Sequence, residues 1–132
     1  MLSTTPIPDS VSSQQSSPLG THLILELYDC DAHIIRNNSL LSEGLLDAVR
    51  EAGATIVESV FHEFIPGGLS GVIVIAESHV TIHTWPERGY AAVDAFTCGD
   101  PKLPERIEQN LIKLLEAKNF KSTVLDRGVP QS

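Results

Sequence analysis

Residues 71–98 read GVIVIAESHVTIHTWPERGYAAVDAFTC, and this stretch decides the fold. Residues 71–76 are apolar on both alternating sets of positions, which predicts a strand that is buried on both faces or central in its sheet. Two more strands are predicted at Ser78–Trp85 and Tyr90–Cys98, because the Pro-Glu-Arg-Gly sequence between them is a turn signal of hairpin length. A run of consecutive strands of this kind favours a mostly antiparallel sheet.

Three further strands are predicted outside this stretch, two before it and one after it. Leucines alternate along Thr21–Tyr28, and Ala54–Phe64 is rich in β-branched and aromatic residues. The last predicted strand is short, Phe120–Leu125, and lies near the end of the chain.

Two helices are predicted from apolar stripes with helical spacing. The first runs over Ser39–Ala52 and ends before Gly53, a residue suited to a left-handed terminator, and the second begins near Pro104. Their stripes consist of Leu41, Leu45, Ala48, Val49 and Ala52, and of Ile107, Leu111, Leu114 and Leu115. The order β-α-β-β-β-β-α-β predicts an α+β fold, a two-layer α/β sandwich with a mostly antiparallel sheet and helices on one face.

One face of such a sheet is left without helices. If Val57 and Phe61 lie on it, that face is apolar enough to predict a homodimer formed sheet to sheet.

Composition narrows the classes of function. The chain has 132 residues and a formal charge of −8, which disfavours binding to nucleic acid or to an anionic membrane. Residues 1–18 are rich in Ser, Pro, Thr and Gln and are predicted to be a disordered tail before one domain at residues 19–132. With two cysteines and no export signal or apolar span, a cytoplasmic location is expected.

Reactive side chains are dense between Ser70 and Cys98. His79 and His83 are too far apart on a strand for the usual two-ligand chelate, so no metal site is predicted. A hydrolase triad of Ser78, His83 and Asp94 is disfavoured because the sequence has no Gly-x-Ser-x-Gly elbow.

Three stretches resemble the small prokaryotic type of S-adenosylmethionine decarboxylase. They are LGTHLILELY at 19–28, ATIVESVFHEFIPGGLSG at 54–71 and VIVIAESHVTIHTWPERGYAAVDAFTCG at 72–99. The resemblance is specific because ESH, IHTWPE, GYAAVD and FTCG occur in order and at the family's spacing. It implies a proenzyme that supplies decarboxylated S-adenosylmethionine, the aminopropyl donor for spermidine synthesis.

The resemblance also implies roles for individual residues. The chain would cut itself between Glu77 and Ser78, and Ser78 would become a covalent pyruvoyl cofactor that forms a Schiff base with S-adenosylmethionine. The remaining roles are His83 as processing base, Ser70 in support of processing, Cys98 as proton donor, and Phe64, Trp85 and Glu87 in substrate binding. Since Ser78 and His83 would face opposite ways in a regular strand, a bend or bulge is predicted near residues 77–79.

Two alternatives remain open. Glu63 stands where the family commonly has arginine, and an acidic pocket would suit a decarboxylase of a basic amino acid such as ornithine or arginine. The chain could instead be a non-catalytic relative that regulates an active paralogue.

Overall fold

The fold is an α+β sandwich, seen in a computed structural model that describes residues 17–131. The strands are β1 (Gly20–Tyr28), β2 (Ile56–Glu63), β3 (Leu69–Ile75), β4 (Ser78–Trp85), β5 (Tyr90–Thr97) and β6 (Asn119–Arg127). The helices are α1 (Ala32–Arg36), α2 (Asn38–Glu51) and α3 (Leu103–Leu115), and a single 3₁₀ turn covers Pro86–Arg88. The predicted fold class is therefore confirmed, with one added helix, α1. The tail prediction falls mostly outside the described residues.

All six strands form one sheet in the order β2-β3-β4-β5-β1-β6. Every neighbouring pair is antiparallel, which agrees with the short connections in the middle of the chain. Strand β3, predicted from residues 71–76, pairs on both sides and is interior to the sheet.

The core lies between the helices and one face of the sheet. Leu23, Leu25 and Leu27 of β1 point into it, and the stripe of α2 is buried throughout. Helix α3 buries Ile107, Leu111 and Leu115, while Leu114 is only partly buried. The longest helix among residues 17–131 has 14 residues, and none there is long and apolar enough to cross a membrane.

The other face of the sheet, here called the open face, carries no helix. Its apolar side chains on β2 and β3 are Val60, Val72 and Val74, each more than 40% exposed. The condition set for Phe61 is not met, because Phe61 is paired with Gly71 and packs against the core side of the sheet. Val57 is 65% exposed and lies at a register shift in β2.

Candidate active site

Five of the residues predicted for the site surround one cleft at the end of β4. The cleft has a volume of about 350 Å³ and is here called the Trp85 cleft. It is lined by Phe64, Gly67, Gly68, Ser70, His83, Thr84, Trp85 and Glu87. The fold thus brings the three predicted substrate-binding residues together with Ser70 and His83.

Ser70 and His83 form a direct pair in this cleft. They lie opposite each other on β3 and β4, and Ser70 Oγ is 2.8 Å from His83 Nδ1. This hydrogen bond orients the imidazole and leaves Nε2 as the nitrogen that can exchange a proton with a reacting atom.

An aromatic stack supports the wall of the cleft. Trp85 packs on Tyr90 with ring centroids 5.3 Å apart, and Tyr90 stacks on Tyr28 at 5.4 Å. The Tyr90 hydroxyl donates to Glu26, and partial burial together with that carboxylate raises the pKa of Tyr90 to about 12. Sequence reasoning missed this stack, although Trp85 and Tyr90 flank the predicted hairpin turn and are directly paired across it.

The remaining predicted site residues lie at the opposite end of β4. The backbone N–H of Cys98 donates to Ser78 Oγ over 2.9 Å. Glu77, which precedes Ser78, has a φ of 68°, in the left-handed region. For a residue with a side chain this conformation costs about 1–2 kcal/mol, so the peptide link to Ser78 begins at a strained residue.

The two groups of residues are well separated within one chain. Strand β4 keeps a constant register with β3 from Ser78 to His83, so the predicted bulge is wrong and the distortion at residues 77–79 is confined to Glu77. Five residues of strand span roughly 17 Å, and residues an odd number apart face opposite sides. Ser78 and His83 of one chain are therefore not in contact. Their predicted roles stay predictions.

Glu63 lies away from the Trp85 cleft. It is paired with Leu69, whose side chain is buried on the helix side, and it accepts a long hydrogen bond of 3.4 Å from Asn38 Nδ2. Together with His33 and Arg36 it lines a different cavity, beside α1 and α2. Its charge therefore does not make the Trp85 cleft acidic.

Asp94 is engaged elsewhere on the open face. It accepts from His22 Nε2 at 2.9 Å and from Thr81 Oγ1 at 3.2 Å, so it does not orient His83 as a hydrolase triad would require. Within residues 17–131 no three acidic, His or Cys side chains are grouped so as to hold a metal ion.

The two cysteines differ in their surroundings, and this difference predicts a labelling result. Both are free, but Cys30 is buried, and burial raises the pKa of its thiol to about 11. Since only the thiolate reacts, we expect iodoacetamide at neutral pH to modify Cys30 at least ~100-fold more slowly in the native protein than in denaturant. Peptide mass spectrometry measures this ratio, and equal rates in both conditions would contradict the burial of Cys30.

Known proteins match both the sequence and the fold. The family model described as S-adenosylmethionine decarboxylase matches residues 21–128. A proenzyme of this name from Thermotoga petrophila is 50% identical over 110 residues, covering 83% of this chain and 85% of the relative. One from Thermoanaerobacter sp. is 49% identical over 111 residues, covering 84% and 90%. The crystal structure of the adenosylmethionine decarboxylase from Aquifex aeolicus superposes with a TM-score of 0.81 at 38% identity, covering 87% of this chain and 95% of that one.

The match to the family model includes all of β4 and every strand of the sheet apart from Gly20. Together, these matches place the protein in the class of decarboxylase proenzymes. The chain belongs to the S-adenosylmethionine decarboxylase family.

Proposed function

We propose that this chain is a self-processing S-adenosylmethionine decarboxylase that is cut between Glu77 and Ser78. Its product, decarboxylated S-adenosylmethionine, would donate aminopropyl groups for spermidine and other polyamines. The observation that carries the proposal, beyond family membership, is the position of Ser78. The Ser78 hydroxyl accepts a hydrogen bond of 2.9 Å from Cys98 N–H. Ser78 also directly follows Glu77, which has the left-handed conformation.

Processing would use the chain's own groups. Ser78 Oγ attacks the carbonyl carbon of Glu77, and the acyl group moves from the nitrogen to the oxygen of Ser78. Removal of the Cα proton of residue 78 then expels the Glu77 carboxylate and leaves dehydroalanine. Hydrolysis releases ammonia and leaves a pyruvoyl group at the start of the chain 78–132, while residues 1–77 form the other product.

The residues around Ser78 fit a pyruvoyl group made there. When formed, this group supplies an electrophilic carbonyl that can accept the electrons left by the departing carboxylate, which none of the standard side chains can do. Cys98, whose N–H is bonded to Ser78 Oγ, is suited to return a proton to the substrate Cα. In the Trp85 cleft, Phe64 and Trp85 present faces for an adenine ring, and the Glu87 carboxylate can accept from ribose hydroxyls.

The separation of the two groups along β4 leads us to propose a site shared between two chains. In a homodimer that pairs the open faces with their β4 strands antiparallel, the Ser78 end of one strand meets the His83 end of the other. Val60, Val72 and Val74 are among the apolar side chains that this pairing would bury. His83 lies on the open face, whereas Ser78 has the parity of the helix side, so sharing the site also requires Ser78 to turn around the end of β4 next to the β3–β4 turn. With that turn, each active site combines Ser78 and Cys98 of one chain with the Trp85 cleft of its partner.

We propose a cytoplasmic location and no nucleic-acid or membrane partner. The two free cysteines are consistent with a reducing compartment, and the charge of −8 opposes binding to polyanions. The alternative of ornithine or arginine as substrate is not favoured, since Glu63 lines a separate cavity. A non-catalytic role is not favoured either, because Glu77, Ser78, His83 and Cys98 are all present.

Carboxyl-labelled substrates test this function. We expect purified protein to release labelled carbon dioxide from S-adenosylmethionine at least ~100-fold faster than from ornithine or arginine, because the Trp85 cleft has aromatic walls for a nucleoside. Denaturing mass spectrometry of the same sample should show the two processed chains. Release from a basic amino acid alone would contradict the substrate, and an intact chain without activity would support the non-catalytic alternative.

A further inference from the structure

The orientation of the Trp85 ring, one wall of the Trp85 cleft, depends on its neighbour Tyr90. Trp85 is 41% exposed, and the adjoining cleft residues Gly67 and Gly68 have no side chain that can hold its ring. The centroids of the Trp85 and Tyr90 rings are 5.3 Å apart, whereas the His83 ring lies 6.5 Å from Trp85. The position of the Tyr90 ring therefore largely sets the orientation of Trp85.

The register of the sheet explains how Glu26 can hold Tyr90 in turn. Trp85 is directly opposite Tyr90 across β4 and β5, and Glu26 of β1 is opposite Ala92, two residues after Tyr90 on the same face. Diagonal neighbours of this kind are within reach of long side chains. Because the Ala92 side chain is only a methyl group, it leaves the Glu26 side chain room to extend toward Tyr90.

Tyr90 is held both at its hydroxyl and along its ring. The hydroxyl donates to the Glu26 carboxylate. Partial burial and this carboxylate raise the pKa of Tyr90 to about 12, so the hydroxyl stays protonated and remains a donor at neutral pH. Since β5 lies between β4 and β1, Tyr28 stacks on Tyr90 from the side away from Trp85, with ring centroids 5.4 Å apart.

We infer that Tyr90 and Glu26 are positioning residues, which set the affinity for S-adenosylmethionine by fixing the Trp85 ring through their hydrogen bond. This inference rests on the proposed function, in which Trp85 presents a face to the adenine ring. A side chain already held in the binding orientation loses less conformational entropy when a nucleoside stacks on it. Neither Tyr90 nor Glu26 lines the Trp85 cleft, so both act through Trp85.

A purely structural role for this hydrogen bond, joining β1 to β5, predicts different kinetics. In the proposed function, decarboxylation takes place at the group formed from Ser78, so Trp85 contacts the adenine ring equally in the ground state and in the transition state. Loss of its fixed orientation therefore weakens uniform binding, which raises KM and leaves kcat nearly constant. A structural bond would instead lower the unfolding temperature and leave KM unchanged.

Time-resolved fluorescence anisotropy tests the positioning directly, because Trp85 is the only tryptophan of the chain. We expect the substrate-free wild type to lose anisotropy only as the whole particle tumbles. Tyr90→Phe lacks the hydroxyl and Glu26→Leu lacks the acceptor, so each should add a fast decay from rotation of the Trp85 side chain, on the picosecond-to-nanosecond timescale. A decay like that of the wild type in both variants would overturn the proposal.

Steady-state kinetics with S-adenosylmethionine test the effect on affinity. Each variant should raise KM by about 10-fold and change kcat by less than ~2-fold, as expected when a hydrogen bond to a charged group is lost. Combining Tyr90→Phe with Glu26→Leu should raise KM no further, because both changes break the same bond. An unchanged KM in the single variants, or effects on KM that multiply in the double variant, would overturn the proposal.

Glu26→Gln is the conservative rescue, and Glu43→Leu is the matched control. The glutamine amide keeps an oxygen that can accept from Tyr90, so this variant should lack the fast decay and recover most of the wild-type affinity. Glu43 is an exposed carboxylate on α2, outside the sheet, and Glu43→Leu should change neither measurement. The anisotropy is measured without substrate, so it decides the positioning of Trp85 even if the protein does not decarboxylate S-adenosylmethionine.

Discussion

Ser78→Ala is expected to give a folded, full-length chain without decarboxylase activity. Alanine has no oxygen to attack the Glu77 carbonyl, so neither the cut nor the electrophilic carbonyl can form. Denaturing mass spectrometry should show the intact 14.3-kDa chain, and carbon dioxide release should fall by at least ~10⁴-fold. Losing the hydrogen bond from Cys98 N–H to Ser78 Oγ should lower the free energy of unfolding by only about 1 kcal/mol.

Ser39→Ala is the matched control for this experiment. Ser39 is an exposed serine in the first turn of α2, far in the fold from the turn before β4. This variant should be cut and should turn over substrate like the wild type. If Ser78→Ala is still cut, or still releases carbon dioxide at an appreciable rate, the cofactor does not come from Ser78.

Much of the fold could be predicted because its strands and helices have strong periodic patterns. Ser78–Trp85 has the bounds predicted for it, the first long helix agrees to within one residue at each end, and the second begins one residue before the predicted Pro104. Helix α1 was missed because five residues are too few for an apolar period to appear. It begins at a local signal instead, since the Asp31 side chain accepts from the N–H groups of His33 and Ile34.

Five residues that line the Trp85 cleft could be named from the sequence, but the arrangement of the candidate site could not be predicted. Sequence spacing indicated that Ser78 and His83 face opposite ways, and a bulge was inferred to bring them together. The structure keeps the strand regular, because β4 is paired on both sides and a bulge would disrupt that pairing. The sequence also left open whether Phe61 lies on the open face, since the register of β2 depends on the shift near Val57, which no local pattern indicates.

Two inactive variants should restore each other if the active site is shared between chains. Ser78→Ala lacks the nucleophile, and His83→Ala lacks the base at the other end of β4. In a mixed dimer, the end of β4 that carries the intact Ser78 of the His83→Ala chain lies against the intact His83 of the Ser78→Ala chain. One of its two sites is then complete, while dimers of either variant alone have none.

Co-expression of the two variants, each with a tag of different mass, measures this effect. Half of the randomly assembled dimers are mixed and each holds one complete site, so we expect about one quarter of the wild-type rate of carbon dioxide release. Mass spectrometry should show that only the His83→Ala chain is cut, because it alone keeps Ser78. This assignment of the cut chain separates a shared site from general stabilisation by the partner.

The matched control is co-expression of Ser70→Ala with His83→Ala. Both changes fall in the Trp85 cleft, where Ser70 Oγ lies 2.8 Å from His83 Nδ1, so every pairing leaves each site with a defective cleft. This pair should recover no more than the activity of Ser70→Ala alone. Recovery of activity by Ser70→Ala with His83→Ala would mean that the active site is not divided between chains in this way. So would a lack of recovery by Ser78→Ala with His83→Ala. A catalytic role for His83 would then require β4 to bend within one chain by an amount that its regular pairing opposes.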